Sequence, residues 1–122
     1  MATIKNFEEL IAWQKARELA GNVYELTRHD KFSHDFGLRD QIQRAASSVM
    51  HNIAEGFESG SDPEFVRFLK MARRSAGEVQ SQLYLALDVD YITEEERQKA
   101  HVLATEVKRL IKGMMTYLRK SD

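Results

Sequence analysis

Residues 33–58 read SHDFGLRDQIQRAASSVMHNIAEGFE, and this stretch decides the fold. Leu38, Ile42, Ala45, Val49, Ile53 and Gly56 recur at spacings of four, three, four, four and three. That is an a/d seam, which runs an apolar stripe down one helix and packs it on another at a shallow angle. Ser33 is the expected N-cap, with Asp35 in the first turn, where the helix dipole favours an acid. The seam predicts a helix over 33–58. It ends at Ser59-Gly60-Ser61-Asp62-Pro63, the clearest break in the chain. Gly60 suits a left-handed position past a helix end, and Pro63 suits the first turn of the next helix.

Spacings of four and three alternate in Phe65, Leu69, Ala72, Ala76, Val79, Leu83 and Ala86, which predicts a helix over 62–88. Thr93 and Glu96 have capping-box spacing and open a helix over 93–119. Its expected core face is Ala100, Leu103, Val107, Leu110, Ile111, Met114 and Leu118. Upstream, Asn6 and Glu9 have the same box spacing. Trp13, Ala16, Ala20, Val23, Tyr24 and Thr27, widened by Leu19 and Leu26, predict a helix over 7–28. His29 to Phe32 break that pattern. Connections of about four to six residues force consecutive helices to be antiparallel neighbours. The expected fold is all-α, a single domain over 1–122 forming an antiparallel up-down-up-down four-helix bundle.

Composition excludes several classes. The chain has 122 residues, one domain's worth, with 18 Lys+Arg against 19 Asp+Glu. Near-neutrality argues against a globally basic nucleic-acid binder but permits a local basic patch. There is no Cys, which removes disulfides, thiolate metal sites and cysteine nucleophiles. One Pro and six Gly are too few for an all-β sandwich or barrel. No apolar run reaches bilayer length, and the first residues carry no long apolar h-region. A cytoplasmic protein without membrane contact is the expectation.

The second helix carries a resemblance. Phe36 through Ala45, then Ser48, then Asn52-Ile53-Ala54-Glu55-Gly56-Phe57, resembles the four-helix-bundle proteins encoded in intervening sequences of bacterial 23S ribosomal RNA genes. The likeness extends through Glu64 to Leu69, Ala72, Ser75, Glu78 and Gln82 to Asp88, and upstream through Phe7, Leu10, Trp13, Ala16 and Tyr24 to Thr27. That family is similar to the accessory bundle proteins of diversity-generating retroelements, which are basic homopentameric barrels associated with reverse transcriptase and nucleic acid. The resemblance implies a homo-oligomer, a pentamer, with RNA or an RNA-associated protein as a further partner. It implies no enzymatic activity, no cofactor and no small-molecule substrate.

Two sets of polar residues stand out beside the seams. Gln41, Ser48, Asn52 and Glu55 form a stripe bordering the apolar face of the second helix. Phe68, Met71, Ser75, Glu78 and Gln82 form a flank about a quarter turn from the core of the third, with Phe68 and Met71 expected exposed in a monomer. Polar groups beside a core need hydrogen bonds, so these residues are candidates for an inter-helix network or a subunit interface. Arg67, Lys70 and Arg74, with Arg73, lie opposite the third helix's seam. Lys108, Lys112 and Arg119, with His101, make a second basic stripe on the fourth helix, with Arg109 and Lys120 nearby. These are the candidate phosphate contacts. No aromatic residues interleave with them, so binding there would be backbone-driven and salt-dependent. A solvated face explains the same charges, which keeps open a pure protein–protein module. No metal pattern is expected: no His has a Glu three positions before it, and the His51/Glu55 and Glu25/His29 pairs fit a solvated surface.

Overall fold

In the computed structural model, which describes residues 3–121, the chain forms helices throughout. A single 3-10 turn, Phe7–Glu9, leads into α1, Ile11–Leu26; a short α2, Asp30–His34, precedes α3, Phe36–Glu58; α4 is Asp62–Asp88 and α5 is Glu94–Ser121. At 1.5 Å per residue the 27 residues of α4 run about 40 Å.

The cross-helix contacts set the arrangement. Along α4, Gln80 meets Thr105 and Tyr84 meets Arg97 and His101, so α4 and α5 run antiparallel. Ser75 reaches Ser48, while Phe65 lies against Gly56, so α3 and α4 do too. Lys15 pairs with Glu106 and His29 with Glu96, the same sense for α1 and α5.

The seams of α3 and α4 are buried at every position the four-and-three spacing names, from Leu38 to Gly56 and from Phe65 to Ala86. Each fully buried Leu, Ile or Val contributes about 1.5–3 kcal/mol. The core is two blocks. Leu19, Val23, Phe32, Ile42, Val79, Leu83 and Ala104 fill the end near α2. Leu10, Ile53, Phe65, Leu69, Val107, Ile111 and Leu118 fill the other, and Met50 packs against both. On α5 the buried face is turned slightly from the expected one. Ala104 and Met115 are buried, whereas Leu103, Leu110 and Met114 are half-buried. On α1, Tyr24 is exposed rather than in the core, because Ala12, Leu19 and Leu26 rotate the apolar stripe away from it.

Two helix starts differ from the sequence expectation. The predicted helix 7–28 is interrupted at Leu10, whose extended backbone (φ −73°, ψ 123°) drops its side chain into the core. The Glu9 carboxylate accepts from the backbone N–H groups of Lys5 and Asn6, and the Gln14 amide donates to the Glu8 carbonyl. The predicted helix 33–58 begins at Phe36. Ser33 sits inside α2, donating to the Asp30 carbonyl, and Asp35 caps α3 by accepting from the Leu38 N–H at 3.1 Å. Burial of Phe32 explains this: α2 turns that ring into the core, where it stacks 5.2 Å from Tyr91. At the α3–α4 turn Gly60 has φ +89°, Ser61 caps α4, and Pro63 lies in its first turn.

Candidate nucleic-acid interface

The α4–α5 groove is built on Gln80. Its amide donates to the Thr105 hydroxyl at 2.9 Å and to the His101 carbonyl at 3.3 Å, and its carbonyl oxygen accepts from Lys108 at 3.1 Å. These bonds fix both flanks. Two turns before Gln80 on the same flank of α4 comes Arg73; one turn past Lys108 on the facing flank of α5 comes Lys112. The antiparallel register brings Arg73 level with Lys112, and Arg119 level with the start of α4. Lys70 and Arg74 border this flank on its outer side. Between Val66 and Gln80 on α4 and between His101 and Arg119 on α5 the flank positions carry no acid; Asp62 and Glu94, the latter bidentate to Arg97, lie on the same flanks at the two ends. Glu106 faces Lys15 of α1 instead. The two basic stripes that appear separate in sequence thus border one groove.

The cations are not equally available. Lys70, Arg73, Arg74, Lys112 and Arg119 are exposed, with no acidic partner among the described residues. Arg67 holds Glu64 through two bonds of 3.0 and 3.1 Å, and its guanidinium lies 4.6 Å over the Phe68 ring. That hydrogen bonding lowers the Glu64 pKa and raises that of Arg67. Lys108 is half-buried and spends one donor on Gln80. Arg67 and Lys108 therefore contact a phosphate only by giving up existing partners.

Three of the polar residues named from sequence meet at the α3–α4 contact. Asn52 donates to the Ser48 carbonyl and hydroxyl, both at 2.9 Å, and Ser75 donates to the Ser48 hydroxyl at 3.1 Å across the α3–α4 contact. Gln41, Glu55 and Glu78 are exposed and outside it. Gln82 is half-buried, and its side-chain oxygen has no partner among the described residues. Phe68 and Met71 are half-buried rather than exposed, because that flank folds into the α3–α4 groove; the Phe68 Cβ lies 2.9 Å from where a Gly56 side chain would begin.

Sequence reasoning missed the groove's most buried polar groups. Arg97 is buried, bidentate to Glu94 at 2.6 and 2.9 Å, with its guanidinium 4.6 Å over Tyr84. Gln80 sits one position beside the α4 seam, and Arg97 falls in register with the α5 seam three positions before Ala100, where a charged residue breaks an apolar pattern. At the far end, Glu96 closes the Thr93 capping box and also meets His29 at 2.7 Å. The Thr93 N–H, then His29, hold the Glu96 carboxyl below its usual range against the burial that raises it. Among the described residues, no group of three His, Asp or Glu is placed to hold a metal ion, and no helix is long and apolar enough to cross a membrane.

The chain is similar to proteins already known. The family model described as 23S rRNA-intervening sequence protein matches residues 8–113. A crystal structure from Bacteroides thetaiotaomicron VPI-5482, described as a protein with unknown function from the S23 ribosomal protein family, superposes with a TM-score of 0.79. It is 25% identical, and the match covers 86% of this chain and 98% of that one. No curated protein matches the chain. The family match spans the capped starts and seams of α3 and α4 and most of the α5 flank, and on it the chain belongs to the 23S rRNA-intervening sequence protein family.

Proposed function

We propose that the protein is a non-enzymatic, cytoplasmic, homo-oligomeric scaffold or accessory factor, with RNA held along the basic α4–α5 groove. The observation that carries this reading is that Arg73, Lys112 and Arg119, bordered by Lys70 and Arg74, line a groove whose acids Asp62 and Glu94 lie at its two ends, within a chain whose net charge is −1. Phosphates spaced along a backbone match cations repeated at helical turns, and such contacts read charge rather than sequence. A pentamer, as the family resemblance implies, repeats each groove around a ring, so that several weak contacts act with avidity. Two experiments test the reading. Light scattering at micromolar concentration is expected to show an oligomer, and a monomer sinks the scaffold. Filter binding with structured RNA is expected to show retention that falls steeply with salt; no retention at low salt removes the RNA contact.

A second reading is a pure protein–protein module. The pairing of Arg67 with Glu64 and the near-neutral charge favour it, since both reduce the field available to phosphate. Retained oligomerisation without RNA retention selects this alternative.

A further inference from the structure

The groove on the opposite side of the bundle, between α1 and α3, carries a series of ring–arginine pairs where the α4–α5 groove has Tyr84 with Arg97. Three aromatic residues there each have an arginine one turn further along: Trp13 and Arg17, Tyr24 and Arg28, Phe36 and Arg39. The Gln43 amide donates to the Thr27 hydroxyl at 2.9 Å and fixes the two helices at this point. Phe36 lies two turns before Gln43 on the same flank of α3, and Trp13 lies three turns before Tyr24 on the facing flank of α1. Arg39 joins the two flanks. Its guanidinium lies 4.8 Å over the Phe36 ring, and it borders one depression with Tyr24 and Arg28. The Arg17 guanidinium lies 5.8 Å from the Trp13 ring centre.

We propose that this α1–α3 groove binds single-stranded RNA, with unpaired bases stacking on Phe36 and Tyr24 and phosphates held by Arg28 and Lys31. Phe36 is 61% exposed and Tyr24 41% exposed, the accessibility a stacking platform needs. With Arg39 on one face of Phe36, the other face is left for a base, giving an arginine–ring–base stack. Arg28 and Lys31 are exposed and without acidic partners among the described residues. The nearby acids are accounted for in part: Asp40 pairs with Arg39 at 3.0 Å, and Asp35 accepts from the Leu38 N–H and the Tyr91 hydroxyl. Phe36 and Lys31 line a neighbouring depression together with Asp30 and Asp35, and Asp30, exposed there, opposes binding modestly. Rings separated by cations suit nucleotides better than an apolar peptide, and a duplex hides the base faces that these rings would meet.

This inference deepens the RNA reading and rests on it, yet the two fail differently. A short oligoadenylate carrying 2-aminopurine and an RNA duplex of the same length serve as probes against the full chain. The wild type is expected to quench the 2-aminopurine. Phe36→Ala is expected to weaken the single strand about tenfold and leave the duplex within about twofold, the scale of one lost base–aromatic stack. Phe36→Tyr is expected to restore binding, and Tyr24→Ala to reproduce the loss. Arg73→Glu with Lys112→Glu is expected to weaken the duplex. Absence of quenching, or equal single-strand binding by Phe36→Ala and wild type, overturns the stacking groove while duplex binding still reports on α4–α5. Both substituted rings are exposed, so unchanged melting of the variants separates lost binding from lost folding.

Discussion

Helix α4 makes two unlike contacts, and the contrast between them shows how one helix serves both packing and charge. Against α3 the contact is close and built on small residues. Gly56 admits Phe65 and Phe68, and the short Ser48 and Ser75 hydroxyls meet at 3.1 Å. Against α5 the contact is made by long side chains, Gln80 with Lys108 and Thr105, and Tyr84 with Arg97 and His101. Small residues let backbones approach until little surface remains between them. Long polar chains bridge a wider gap and leave its rim to Arg73 and Lys112. The flank that closes sets register; the flank that stays open presents cations.

The largest effect is expected where the close contact has no slack. A Cβ at Gly56 would stand 2.8 Å from the Phe65 ring and 2.9 Å from the Phe68 Cβ. Gly56→Val is expected to cost about 1–3 kcal/mol or more through overpacking, read from urea unfolding. Wild-type stability in that variant would mean the α3–α4 contact is loose. On the open flank, Arg73→Glu with Lys112→Glu is expected to weaken RNA about tenfold without changing the unfolding midpoint, since both side chains are exposed. A shifted midpoint with unchanged RNA binding would make those residues structural. Smaller is Ser75→Ala, which leaves Ser48 short of one bond and is expected to cost about 1 kcal/mol. Asn52→Leu, which removes both bonds to Ser48, is expected to alter oligomer size or solubility in light scattering; unchanged assembly and melting tells against its role in register.

The smallest effect concerns acid. Glu96 is held below its ordinary value, 4.5, so its contribution is complete above that value and is lost as pH falls through the lowered one. Asp35 behaves alike, lowered by the Leu38 N–H and then by the Tyr91 hydroxyl. The melting temperature is expected to decline in acid, and Glu96→Gln to make that decline shallower. An acid limb identical to wild type would show that the capping box contributes nothing to it.

How much of this was legible in the sequence follows from the same contrast. The α3 and α4 seams read directly because small and branched apolar residues repeat every three or four positions without exception. The Thr93 cap reads directly because hydrogen bonding is local there. The sequence puts Asp35 in a first turn rather than at the cap because nothing local shows that Phe32 must be buried, and its burial is what forms α2. Tyr24 read as core because its spacing fits, although the stripe of Ala12, Leu19 and Leu26 excludes it. In the α4–α5 groove the charges were visible but their meeting was not, since it depends on register set by Gln80, a residue with no distinctive spacing. Ser48, Asn52 and Ser75 were nameable because they border a seam; Gln41, Glu55 and Glu78 border it too, one step further out, where solvent satisfies them.

The central claim is that the open flank of α4 holds RNA by charge. The most direct test is the salt dependence of binding to structured RNA, wild type against Arg73→Glu with Lys112→Glu. Affinity is expected to fall linearly on logarithmic axes as salt rises, and removing two cations to make the slope shallower by about two. Parallel slopes for the two proteins, or no binding at the lowest salt, would contradict it.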